Sequence, residues 1–327
     1  MHDIIQQLLL DSPFYQGAAI LLVAIFMALL APLPREYQAF YWFSLLARSL
    51  SAKVARSDRS PGQQRLAGSL SVLLLVLPFW LILSFLLELA AFPWFFECLF
   101  LYLCLCDEQF HKVAEETGQA LERQDKQRAR RLLSQWVYRD TRELSEVGMS
   151  KTTIEKLMTT SIYGTVATIL FYAVGGAPLV LGARMIKQLE YTWPALNPQY
   201  REFGRPAYLL SYLIYWLPTQ AWNFTLAIQG GPGALVQMLR PVKSPLPINN
   251  HLTTCALAAK VLHTELGGPQ KFAGKRVDIA RIGTGPKPTP HTISAALKLL
   301  RLSKGIWVLS VLLIPCLWAM LRLLAHA

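Results

Sequence analysis

Three places in this chain set polar side chains of chemically useful types a few residues apart. Arg139 and Asp140 are followed by Glu143, Thr152 by Glu155, and Lys187 by Glu190. An arginine holds a phosphate or carboxylate through paired N–H bonds. A carboxylate can transfer a proton or bind a hard cation through oxygen. The spacings Asp140 to Glu143 and Thr152 to Glu155 are also those of a helix-capping box, so capping alone would account for both acids. Arg139 reads either as a phosphate ligand or as a membrane-proximal cation facing lipid headgroups. Asn250, among helix breakers, reads as a binding residue or a turn residue.

Generic catalytic signatures are missing. Gly274-Lys275 is followed by Arg276 where a phosphate loop needs Ser or Thr, and Gly283-Thr284-Gly285 lacks the rest of a nucleotide fingerprint. Neither HExxH nor GxSxG occurs. His111, His251, His263 and His291 have no ligand spacing and read as solvated side chains. Of Cys98, Cys104, Cys106, Cys255 and Cys316, no two stand as CxxC, and Cys104 and Cys106 point about 200° apart on a helix. They read as small apolar side chains, and no protein-bound metal is expected.

The elements that must carry these residues are membrane helices. The chain is 53% hydrophobic and 16% charged, and its charges are segregated from long uncharged stretches. Spans are expected at about 17–33, as two helices between 66 and 106 that turn near Glu88 to Pro93, and at 162–181, 206–228 and 306–324. Glu88 and Glu97 then lie either at apolar depth or at that turn in the interface. Six crossings put residues 35–65, 107–161 and 229–304 on one side. Residues 35–65 carry six basic and two acidic residues, 107–161 ten of each, and 229–304 eleven basic and two acidic. Retention of basic loops makes that side cytoplasmic and places both termini outside. Lys187 and Glu190 fall on the outer side in this scheme, unless that connection re-enters the membrane. No cleavable signal peptide is expected, since the stretch before the first span has no Lys or Arg.

The expected fold is therefore all-α, a polytopic transmembrane bundle with helical cytoplasmic loops. Its regions are N-terminal membrane helices (1–106), cytoplasmic amphipathic helices (107–161), a membrane core (162–228), a basic loop region (229–304) and a final membrane helix (305–327). Residues 110–137 read as two amphipathic helices broken near Gln124, with Asp125 capping the second. A helix over 252–266 is expected to end at Gly267-Gly268 in a left-handed cap, and a short helix to start at Pro290 behind Thr289.

Longer strings carry more information. Ala129-Arg130-Arg131-Leu132-Leu133-Ser134, Val137-Tyr138-Arg139-Asp140-Thr141, Ile154-Glu155 and Phe171-Tyr172-Ala173-Val174-Gly175-Gly176 follow one another, then Asn197-Pro198-Gln199-Tyr200-Arg201-Glu202-Phe203-Gly204 and Trp216-Leu217-Pro218. Asn250, Leu266-Gly267-Gly268-Pro269 and Gly274-Lys275 complete the series. In order and approximate spacing these resemble the CobD/CbiB family of cobalamin-biosynthesis membrane proteins, from about Glu97 to the end.

The resemblance implies an enzyme of the bacterial inner membrane that joins aminopropanol, or its phosphate, to the free carboxylate of adenosylcobyric acid, giving adenosylcobinamide or its phosphate. It implies ATP and Mg²⁺ as cofactors, a corrinoid precursor and membrane lipid as partners, no nucleic acid, and no particular protein partner. Carried onto this chain, it gives Asp140 and Glu155 as catalytic candidates and Arg139, Asn197, Tyr200 and Asn250 as substrate-binding candidates in a cytoplasm-facing pocket.

The chain departs from the family pattern where that pattern is acidic. Glu155-Lys156-Leu157-Met158-Thr159-Thr160 and Tyr163-Gly164 stand where the family reads Glu-Thr-Val-Ala-Glu-Asn and Asp-Gly. Lys187-Gln188-Leu189-Glu190 replaces Asn-Thr-Leu-Asp, and Leu209-Leu210-Ser211-Tyr212 replaces Arg-Leu-Asp-Asp. A similar membrane body occurs in the AmpE branch, regarded as regulatory or sensory. A non-catalytic protein of that kind is the alternative expectation.

Overall fold

The computed structural model describes residues 13–33, 37–56, 58–105, 109–240, 242, 250–272 and 274–325, and it is overwhelmingly helical. Helices α1 (Pro13–Leu30), α2 (Ala39–Val54), α3 (Pro61–Leu89) and α4 (Pro93–Cys104) form the first group. The head of α3 is fixed by a reciprocal capping box between Ser60 and Gln63, with Pro61 as first helical residue. The break between α3 and α4 falls at residues 90–92, inside the expected turn. Helix α4 then runs parallel to α1: Cys98 meets Met27, and the Tyr102 hydroxyl donates to the Ala31 carbonyl at 2.6 Å. Large apolar side chains of α1 and α3, among them Phe26, Leu30, Leu74 and Ile82, stay more than half exposed, as lipid-facing residues do.

The second group packs on the face where α1 and α4 end. Helices α5 (Gln109–Glu122) and α6 (Lys126–Ser134) break at Gln124, whose φ is 60°, and Asp125 caps α6 by accepting from the Arg128 N–H at 2.9 Å. Both match expectation. Helix α7 (Glu146–Ser161) is capped by Ser145, which accepts from the Gly148 N–H. The capping expectation for Asp140 and Glu155 is thereby overturned. Asp140 lies in the loop before α7, Glu155 is in the middle of that helix, and Thr152 donates to the Gly148 carbonyl.

A π-helical turn (Ile162–Val166) leads from α7 into α8 (Ala167–Thr192). The path of α8 corrects the expected crossing at 162–181. Gly175 and Gly176 leave helical geometry, and Gly176 takes φ 64°, ψ −165°, a conformation open to glycine alone. A straight helix would separate residues 163 and 187 by about 36 Å. Instead the Lys187 ammonium lies 3.6 Å from the centre of the Tyr163 ring. The chain therefore dips in, turns at Gly175-Gly176 beside Glu97, which accepts from the Tyr172 hydroxyl, and returns to the face it left. Lys187 and Glu190 lie on the same face as Arg139, not across from it.

Helix α9 (Arg205–Gln229) follows a 3-10 turn (Pro198–Tyr200). Beside its start, Glu202 pairs with Arg65 at the head of α3 at 2.6 Å; at its end Gln229 donates to Ser303 at 2.7 Å. Both anchors lie on the soluble face, so α9 runs along that face, and the expected crossing at 206–228 is corrected. Among the described residues, the stretches long and apolar enough to cross a membrane are 13–30, 61–89, 146–192 (the bent pair α7–α8) and 290–322.

Helices α10 (Pro232–Met238) and α11 (Asn250–Val261) precede four short strands, β1 (Leu266–Gly267), β2 (Gln270–Phe272), β3 (Lys275–Val277) and β4 (Arg281–Ile282). Strand β1 pairs antiparallel with β4, and β2 with β3. Helix α11 ends six residues before Gly267, so Gly267-Gly268 serve the strand pairs and not the expected cap. Helix α12 (Pro290–Ala325) is one 36-residue helix, which joins the expected short helix and the last membrane helix and removes the boundary at 304. One buried cluster unites α5 to α7 with α9, α11 and the first half of α12; a second lies among α1 to α4 and α8. Cys106 and the prolines Pro241, Pro245 and Pro247 lie outside the described residues.

Candidate functional site

Two adjoining cavities open on this face, with Arg139 and Gln270 in the wall of both. The outer one, of about 620 Å³, is lined by the loop before α7, by Gly148 and Lys151 of α7, and by Gly267 to Lys271 with Gly274. Helical spacing puts Gly148, Lys151, Thr152 and Glu155 on one side of α7, the side that meets these strands.

At the junction the Arg139 guanidinium bonds the Glu155 carboxylate at 2.5 Å and donates to the Thr152 hydroxyl at 3.3 Å. With its amide turned to satisfy both ends, Gln270 accepts from Nη1 and Nη2 of Arg139 at 3.2 Å each. The second oxygen of Glu155, whose side chain is 2% exposed, accepts from the Gly267 N–H at 2.7 Å. Gly267 can aim that N–H only because its φ is +66°, and a Cβ there would lie 2.4 Å from the Ala280 carbonyl oxygen. Around the rim, the Asp140 carboxylate accepts from the Gly274 N–H at 2.7 Å, and its own N–H donates to the Lys271 carbonyl. Lys271 pairs with Glu143 and Lys151 with Glu265, each at 2.5 Å. These lysines hold Glu143 and Glu265 below the usual carboxylate range, chiefly through hydrogen bonding.

The inner chamber, about 170 Å³, lies between α7, the returning arm of α8, α9 and α11. Lys156, Tyr163, Lys187, Glu190, Tyr191, Tyr208 and His251 are among its lining. Lys187 pairs with Glu190 at 2.7 Å and stacks on Tyr163, while Lys156 lies 4.6 Å above the Tyr191 ring. His251 is half-buried in this wall and is not a freely solvated side chain. Burial, helped by Arg139, Lys187 and Lys156 and opposed by Glu155, pushes it down to about 4. Among the described residues, no three His, Cys, Asp or Glu side chains converge as a metal site.

Of the residues named from sequence, Arg139, Asp140 and Glu155 come together. Asn197 caps the 3-10 turn through the Gln199 N–H, and neither it nor Tyr200 lines the two cavities. Asn250 begins α11, and its side chain lies outside the described residues. The sequence does not single out Lys151, Gln270 or the tyrosine walls, and it offers His251 only as a solvated side chain. The Gly-Gly-Pro directly before Gln270 was the nearest signal.

These features define a helical membrane protein that gathers a charged, two-chambered site on one face. A family model described as CobD/Cbib protein matches residues 21–300. The chain belongs to the CobD/CbiB family of cobalamin-biosynthesis membrane proteins. It is 27% identical over 314 residues to the cobalamin biosynthesis protein CobD of Chromobacterium violaceum, covering 94% of this chain and 96% of that protein. It is 30% identical over 197 residues to CobD of Geobacter metallireducens, covering 58% and 62%. Over 235 residues it is 26% identical to CbiB of Salmonella typhimurium, covering 70% and 72%. No solved structure is similar to the chain.

Proposed function

We propose that this protein joins an aminopropanol unit, or its phosphate, to the free carboxylate of adenosylcobyric acid, yielding adenosylcobinamide or its phosphate. The setting proposed is the bacterial inner membrane, with both cavities facing the cytoplasm. The observation that carries this reading is the Arg139–Glu155–Gln270 junction between an outer cavity wide enough for a large substrate and a smaller chamber behind it. A condensation needs two components brought together with water kept away. The shared wall is where an outer carboxylate and an inner amine would meet.

The residues present fit a nucleotide carrying its own Mg²⁺. Arg142, Lys151 and Lys271 on the outer rim suit its phosphates, and Asp140 and Glu143 are carboxylates for the cation, which takes only one or two from protein when phosphates supply the rest. When bound, the nucleotide would supply the energy that makes the carboxylate electrophilic. Arg139 orients the acid at the junction, and Glu155 fixes Arg139.

One observation favours the alternative of a non-catalytic, AmpE-like regulatory or sensory role. Asp140, Glu143 and Glu155 each already hold a backbone N–H or a cation of this chain. The separating experiment is expression in a bacterium without its own synthase, fed cobyric acid. Growth without added cobinamide is expected. No growth, with the protein present in the membrane, sinks the enzymatic reading.

A further inference from the structure

Helix α9 is built inside out. From Pro206 to its end every exposed side chain is large and apolar: Leu210, Leu213, Trp216, Leu217, Phe224 and Ile228, each between 40% and 67% exposed. At about 100° per residue, all but Trp216 fall within an arc of about 60°, and Trp216 lies beside it. Hydrogen-bonding side chains on the opposite side face the protein. Trp222 donates to the Met158 carbonyl and Asn223 accepts from the Thr254 hydroxyl, both at 2.8 Å, while Tyr208 and Ser211 are buried. A helix washed by water turns its apolar side to the core and its polar side out. The stripe therefore does not face water, and apolar area on this scale marks a contact with membrane or protein.

What covers the stripe follows from what it joins. Just before α9 starts, the chain is seated on α3: a Cβ on Gly68 would lie 2.0 Å from the Phe203 carbonyl oxygen, so only glycine admits the contact. Gly68 is flanked by the exposed Leu66 and Leu70, with which the lipid-facing side of α3 begins. Near the other end of α9 the Trp307 indole donates to the Thr225 hydroxyl at 3.0 Å, and beside Trp307 the exposed Ile306 and Leu309 open the apolar half of α12. Both α3 and α12 carry stretches apolar enough to cross a membrane, and α9 does not. The stripe, about 27 Å long from Leu210 to Ile228, thus joins the first lipid-facing turns of two crossing helices, on the side where the cavities open.

We infer that α9 is an in-plane helix whose outward stripe is seated in the membrane leaflet on the cavity side, with phospholipid acyl chains as its partner. Interfacial helices bury their apolar side about 5–10 Å into the boundary between headgroups and chains. A second copy of the chain is the competing occupant, but continuity with lipid-facing surface at both ends favours lipid. Tyr208, on the inward side of α9, lines the inner chamber, so α9 forms a floor between that chamber and the acyl chains. This seating holds whether or not the site is catalytic, and failure of the growth experiment would leave it intact.

The test uses Leu210→Cys, Leu217→Cys, Phe224→Cys and Ile228→Cys, made singly in the full chain with its own cysteines replaced by serine. Each is labelled with a fluorophore and reconstituted in phosphatidylglycerol nanodiscs, which leave both faces open to solutes. Arg142→Cys is the reference for water, and Leu74→Cys, midway along α3, the reference for the bilayer centre. All four stripe positions should be quenched severalfold more by lipid brominated near the headgroup than by lipid brominated at the chain end, with Leu74→Cys showing the reverse. Aqueous iodide should quench them severalfold less than Arg142→Cys. Gel filtration confirms that each labelled variant is folded, and with four positions any that is not can be dropped. Iodide quenching equal to that of Arg142→Cys overturns the inference. So does protection from iodide and from both lipids, which a covering protein segment or second copy would give. A depth profile that passes through the bilayer centre near Leu217→Cys overturns it too, since only a crossing helix would produce one.

Discussion

Arg139 and Glu155 form a pair that neither residue can leave alone. Truncating Glu155 to Ala strands a guanidinium whose side chain is 13% exposed, and removing one partner of a buried pair costs about 3–5 kcal/mol. The expected result is a large loss of melting temperature for Glu155→Ala and for Arg139→Ala. The double variant should lose clearly less than the two losses added together, as a double-mutant cycle by thermal unfolding would show. His251 gives a pH signature. Its folded value of about 4 lies below the ordinary 6.5, so the unfolded chain binds the proton more readily. Stability from the neutral ring is complete above pH 6.5. It falls by up to about 1.4 kcal/mol per pH unit as pH drops toward 4. Melting curves from pH 7.5 to 5 should flatten in His251→Phe. At this scale the sequence showed which residues were chemically able, but not which partners they chose. Asp140 and Glu155 stand at capping spacings, yet they spend their oxygens on Gly274 and Gly267, 134 and 112 residues away, a distance no local pattern spans.

At the scale of elements, apolar runs located the helices well, because burial in lipid demands length and hydrophobicity whatever the direction of travel. They could not reveal that a run turns back. The stretch 162–192 has the hydropathy of one crossing, but the conformation of Gly176 makes it a pair of half-length arms. Re-entrant backbone is tolerated where protein surrounds it, and the arms of α8 are packed by α3, α4 and α9. The consequence is measurable in a chain whose own cysteines are replaced by serine. Gln199→Cys and Arg142→Cys, both at exposed positions, should react with an impermeant thiol reagent added from the same side of the membrane. A straight crossing at 162–181 would put them on opposite sides. The spacing of Lys187 and Glu190 is visible in the sequence, but a straight crossing sets the pair on the outer side, and only the re-entry of α8 lets it join Arg139.

For the whole molecule, the expected sidedness is insensitive to these corrections. An arm that dips in and returns adds no net crossing, and neither does a helix that runs along one face. Both corrected spans therefore leave the path after Cys104 and the path before Pro290 on the same side. The charge of the loops acts on that side as a unit: residues 35–65 and 229–304 are strongly basic, and basic connections resist translocation. Orientation thus depends on bulk charge and on parity, which a sequence reports directly. The site depends on contacts between distant segments, which it does not. The proposed cytoplasmic placement makes a definite demand on reporter fusions. Alkaline phosphatase, which is active only outside the cytoplasm, should be active when joined after Ala327 and inactive when joined after Arg240. Replacing Arg48, Lys53, Arg56 and Arg59 with Gln, while keeping Arg65 for its pair with Glu202, should weaken this preference and give activity at both junctions. Activity after Arg240 in the unaltered chain would reverse the orientation and separate the cavities from cytoplasmic nucleotide, whatever their geometry.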